Sequence, residues 1–183
     1  MAAPAAGHRA AAVLAVPLAA GAAVSVALGV YGGLHPPTGV AVNVAGFSGA
    51  QSVKAWLATI VVLLALAQLL TALALYGRLG GAAPAWVAPV HRWSGRLAFL
   101  VSIPVAMHCL YALGFQSFDA RVLLHSLLGC FCYGVFVAKM LVLRKDGAPG
   151  WALPVVGGLV FTALVGLWLS ASLWFFTRFG LIF

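Results

Sequence analysis

Two of the five histidines have a spacing that could do redox chemistry. In "MHCLYALGFQSFDARVLLHSLLG" (Met107 to Gly129), His108 lies near the end of one apolar run and His125 near the start of the next. The turn between them is read as about "QSFDA" (Gln116 to Ala120). At about 1.5 Å per helical residue the two imidazoles then sit ~12 Å and ~8 Å below it. Antiparallel helices joined by so short a loop are neighbours, so both rings are expected to face one gap. Two neutral imidazoles across a gap are the axial ligands of a bis-histidine b-type haem.

The neighbouring residues suit a macrocycle. Gly129 follows His125 by one turn, Ala112 follows His108 by one turn, and Pro104 precedes it by one turn, where a helix can open space. Arg121 and the loop backbone stand where haem propionates would emerge. A plainer reading also exists, in which each histidine only bonds a neighbour such as Ser126 or Tyr111. Ionisable side chains inside a membrane are costly and rare, and that cost favours the functional reading. A bare metal ion fits less well, because two histidines with no carboxylate or thiolate at hand leave it under-coordinated.

The elements that must position these rings follow from composition. The chain has 183 residues, 64% hydrophobic and 7% charged, with a mean hydropathy of +1.13. That excess of apolar residues marks an integral membrane protein. Five stretches are long enough to cross a bilayer core as helices: 10–32, 52–77, 92–115, 121–143 and 152–177. The expected fold is therefore an all-α, five-helix transmembrane bundle forming a single transmembrane domain over residues 1–183. The first stretch exceeds the apolar length of a signal peptide and is kept as a membrane helix.

Net charge is +8, but the ten Lys and Arg are spread along the chain, unlike a nucleic-acid footprint. They read as topology signals and as contacts to anionic headgroups of the lipid bilayer. Arg9, Arg78, Arg92, Arg96, Arg144 and Lys145 fall on one side; Lys54, Arg121 and Arg178 fall on the other. The bias puts the N-terminus in the cytoplasm and the C-terminus outside a bacterial-type inner membrane. Trp86, Trp93 and Trp151 then mark the inner interface, Trp56 and Trp174 the outer.

Several chemistries are disfavoured. Cys109, Cys130 and Cys132 lie in apolar runs and give no disulfide framework, and no C-x-x-C-H is present for covalent haem attachment. The only acids, Asp119 and Asp146, lie in loops, so general acid–base catalysis and proton-coupled transport have few players. P-loop, G-x-S-x-G and Rossmann fingerprints are missing. No catalytic residue is assigned. Gln68, in mid-membrane, is expected to bond across helices, and His35 in "LHPPTG" to be a solvated loop residue.

"HRWSGR" (His91 to Arg96) opens the third span. His-Arg at a helix start followed by Gly, then a buried histidine on the next helix, resembles the cytochrome b561 superfamily. More distantly it resembles ferric-reductase-type membrane cytochromes. The resemblance covers about 91–144, and it implies a helical bundle carrying electrons through b haems held by histidine pairs. A two-haem member of those families has four such histidines, whereas here the second and fifth spans have none. His91 is ~25 Å along the helix from His108 and cannot share its haem. A second haem between His91 and Lys139 is conceivable but unusual. His91 could instead bond a quinone carbonyl, hold a propionate, or simply sit wet at the interface beside Arg92 and Arg96.

The expected function is thus a membrane b-type cytochrome with one haem on His108 and His125. It would pass single electrons between the membrane quinol pool and an extracytoplasmic redox protein or a larger membrane complex. The alternative is a non-redox scaffold or assembly subunit whose apolar tail, "WFFTRFGLIF" (Trp174 to Phe183), meets a partner.

Overall fold

Long apolar runs with few helix breakers leave the backbone one economical arrangement in lipid, a helix that satisfies its own N–H and C=O groups. The computed structural model describes residues 3–183, and side chains from residue 10 onward, so the side chain of Arg9 lies outside the described residues. Every regular element among them is helical. The order is α1 (Ala3–Leu34), α2 (Ala50–Leu75), α3 (Val87–Met107) with a π-helical turn (His108–Leu113), α4 (Ala120–Val142), α5 (Ala152–Trp168) with a second π-helical turn (Leu169–Leu173), and α6 (Trp174–Phe179). Five stretches are long and apolar enough to cross a membrane: Ala10–Leu34, Ala50–Leu75, Val87–Leu113, Ala120–Val142 and Ala152–Phe179. In an 18-residue apolar window of each stretch only 17–22% of the residues are buried, and leucines such as Leu63, Leu100 and Leu124 are exposed. In water such surface invites aggregation; against lipid tails it is matched.

The third span begins at Val87, five residues before the sequence places it. Pro89 sits in the first turn of α3, where no intrahelical N–H bond is lost. Gly114, with φ of 72°, ends this span in a conformation that a side chain would resist.

The described chain gathers into two compact units. The first comprises Met1–His35 and Phe115–Ala163; the second comprises Pro36–Gly114 and Leu164–Phe183. In the first, α1 packs along α4 at backbone range. A Cβ placed on Gly21 would lie 2.6 Å from the Gly134 carbonyl and 2.9 Å from Ala138 Cβ. One placed on Gly134 would overlap Ser25 and the Gly21 carbonyl, and one on Gly29 would touch Cys130 Sγ at 3.9 Å. Small residues spaced by four on each helix let the backbones meet, as in membrane helix dimers. Leu14, Val142 and Ala152 close the pair at one end. The Phe115 N–H donates to the Gly32 carbonyl at 2.7 Å, and the Ser126 hydroxyl donates to the Gln116 carbonyl at 2.9 Å, which fixes the entry to α4. Asp119 caps α4 by accepting from the Val122 N–H at 2.7 Å. An Asp119→Ala chain should lose about 1 kcal/mol there, read as faster amide exchange confined to the first turn of α4.

In the second unit, α2 packs against α3 and against the π turn that follows α5. Trp168 donates its indole N–H to Thr59 at 2.9 Å. The tail folds back onto α2: the Ile182 carbonyl accepts from Ser52 Oγ at 3.1 Å and from Trp56 Nε1 at 3.0 Å, and the Phe183 ring stacks on Trp56 at 4.7 Å.

Candidate functional site

The sequence places its chemistry on His108, and the structure puts this residue at the first position of a π-helical turn. Proline at 104, four residues earlier, cannot donate to the helix ladder. The widened turn leaves its last carbonyls without helical partners, and the loop after α1 supplies them. Thr38 N–H and Thr38 Oγ1 donate to the Tyr111 carbonyl at 3.3 and 3.2 Å, and Gly39 N–H donates to the Ala112 carbonyl at 3.1 Å. Such single π turns inside α-helices occur frequently at functional sites.

His108 is buried, 6% exposed, and lines a pocket of about 360 Å³ within the second unit. That volume falls within the usual span of ligand sites, about 300–1,000 Å³. One wall carries Ala112 and Leu113, another Phe175, Phe179 and Ile182, and a third Ser48, Gln51 and Ser52. The pocket thus has an imidazole, aromatic and aliphatic walls, and hydroxyls at one edge. Ala112, read from the sequence as the small neighbour of His108, does line the same space.

The other sequence-predicted residues lie elsewhere. His125 and Gly129 are half-buried positions on α4 in the first unit. Arg121 stands one turn before His125, 3.8 Å from Asp119 in a partly exposed ion pair. Ser126, a suggested partner for a buried histidine, is engaged with Gln116 instead. His35 stacks on Tyr31 at 5.0 Å, closing the end of α1. The three cysteines are free thiols. Among the described residues, no three His, Cys, Asp or Glu side chains gather into a metal-holding cluster.

His91 belongs to a second polar group, at the opposite ends of α2 and α3. Gln68 on α2 donates through Nε2 to the His91 carbonyl and, at 2.8 Å, to Ser94 Oγ. Gln68 therefore does bond across helices. Gly95 makes room for it: a Cβ there would stand 3.0 Å from Gln68 Oε1. Thr71 Oγ1 lies 2.6 Å from the Ala67 carbonyl and 2.8 Å from His91 Nδ1. Thr71 Oγ1 thus joins the Ala67 carbonyl to the His91 ring, and its bond with Nδ1 takes its direction from the ring's tautomer. Replacing Gln68 by Leu should lower stability by about 1 kcal/mol, the usual scale for interhelical bonds in membranes, measured as a lower unfolding midpoint in detergent. The signal missed in the sequence was Thr71, whose hydroxyl looked like one more mid-helix threonine.

Five membrane-length helices and a buried histidine pocket define a multi-pass helical membrane protein. Residues 13–183 match a family of unknown function (DUF6529), and the chain belongs to that family. No curated protein and no solved structure matches it.

Proposed function

We propose that this protein is a b-type cytochrome of the cell membrane, with one haem. The observation that carries the reading is His108: a buried imidazole on a π turn, lining a pocket walled by Phe175, Phe179 and Ala112. The residues fit a haem, since the pocket offers one imidazole nitrogen that would hold the iron and apolar walls that would suit the macrocycle. The opposing imidazole is assigned to His125, with Gly129 leaving room beside it; that pairing rests on the short turn in the sequence alone. Haem iron, when bound, supplies a reversible one-electron couple.

The chain's own residues set the conditions for it. His108 and His125 would hold the iron, and the burial of His108 would keep water away from its own ring. Lys54, two residues beyond Ser52 on α2, and Arg121 would offer positive charge to the haem's propionates. The bias of Lys and Arg supports a cytoplasmic N-terminus and an outward His108 end. Electrons would then pass between membrane quinol and an extracytoplasmic redox partner or larger complex, as the resemblance to the cytochrome b561 superfamily implies. A second haem at His91 is left to the same measurement.

That measurement is a dithionite-reduced minus oxidised absorption spectrum of purified protein, with haem counted per chain. One b-type haem per chain is the expected result. Two would point to a second, cytoplasmic site with His91 as its first candidate ligand. A colourless protein after haem-supplemented expression would end the cytochrome reading in favour of a non-redox scaffold subunit.

A further inference from the structure

The second unit contains Lys54, Arg78, Arg92, Arg96 and Arg178 and not one Asp or Glu. The whole chain has two acids for ten Lys and Arg, so most of its positive charge has no counter-ion of its own. Three of these cations collect where α2 ends and α3 begins. Arg78, Arg92 and Arg96 are all exposed, and so are the rings of Trp86 and Trp93. Arg92 and Arg96 share a helix face at a spacing of four, and the Arg96 guanidinium sits 5.0 Å from the Trp93 ring centroid. Stacking of this kind holds the guanidinium flat and aimed, with its N–H fork available to an oxyanion.

The span's length says where this face lies. Val87–Leu113 has 27 residues, about 40 Å of helix against a hydrocarbon core of about 30 Å. In an upright helix about 10 Å would stand in the headgroup regions. Trp86 and Trp93, two turns apart on one side of α3, mark this end as interfacial, because indoles settle at headgroup depth. Arginines whose long side chains can rise to the phosphates, one of them aimed by an indole and neither with an acidic neighbour in its unit, match the phosphodiester of an anionic lipid. We infer that Arg92, Arg96 and Trp93, with Arg78 beside them, form a binding site for anionic phospholipid headgroups. The inference needs only the membrane-spanning fold and stands whether or not haem binds.

The test is tryptophan quenching of the full-length chain in phosphatidylcholine vesicles holding a minor fraction of phosphatidylglycerol, with bromine carried on one lipid or the other. Phosphatidylglycerol should be preferred by at least about fivefold, the effect of one well-placed basic residue. The preference should fall towards one as salt shortens the screening length. It should be lost in R92Q/R96Q and kept in R144Q/K145Q, whose changes lie on another loop. A wild-type ratio near one, which needs no variant to fold, overturns the site. So does a preference that survives R92Q/R96Q, or one lost equally in R144Q/K145Q.

Discussion

A His108→Ala chain is expected to purify with less than about a tenth of the haem carried by the wild type, because a b haem has no covalent tether and depends on its axial ligands. His108 is the more sensitive of the two proposed ligands. It is fixed by the π turn, by the Thr38 and Gly39 bonds to that turn, and by burial to 6% exposure. His125→Ala should remove the haem as well. Loss of colour alone could also follow from misfolding, so the decisive variant is His108→Met. A thioether keeps an axial ligand but raises the reduction potential, and the expected outcome is retained haem with a shifted midpoint and an altered reduced spectrum. If His108→Met leaves both spectrum and potential unchanged, His108 is not a ligand, whatever the wild-type colour.

The spans were legible because bilayer thickness and backbone hydrogen bonding admit so few solutions. Boundaries fell within a few residues except at Val87, where the helix starts five residues early with Pro89 in its first turn. The π turns at His108 and Leu169 were not legible. A one-residue slip in hydrogen-bond register costs little, and its position depends on what packs against the helix. Pro104 hinted at irregularity without saying which kind. Nor could hydropathy say which helices pair, since a lipid-facing helix is apolar all round and loses the stripe that marks a soluble core. The pairing signal lay in small residues instead: Gly21, Ser25 and Gly29 on one helix, Cys130, Gly134 and Ala138 on another. His108 and Gln68 stood out for the opposite reason. Polar groups in such a chain are few, and each must meet a partner or a ligand.

Gly134 is where the largest loss of stability is expected. Replacing it by leucine should prevent α1 and α4 from packing, and even alanine should lower the unfolding midpoint by roughly 2–12 °C, from an overpacking cost of about 1–3 kcal/mol. The atoms that a new Cβ would strike are the Gly21 carbonyl and Ser25, and the first of these is backbone, which cannot rotate aside. The helices would have to separate along their shared face, from Gly29 and Cys130 to Gly21 and Ala138. Water-soluble helices pushed apart in this way can still be held by the hydrophobic effect. Here lipid tails are as apolar as the helix faces and no hydrophobic effect holds the pair, so the close van der Waals fit lost at this crossing is not made good. Gly33, whose Cβ would meet nothing within 4 Å, supplies the control, and Gly33→Ala should be near neutral. Thermal unfolding in detergent checks the difference. Equal midpoints for Gly134→Ala and Gly33→Ala would mean that the crossing is looser than its geometry implies. A Gly21→Ala/Gly134→Ala chain less destabilised than the sum of its single changes is expected, since the first enforced separation already makes room for the second.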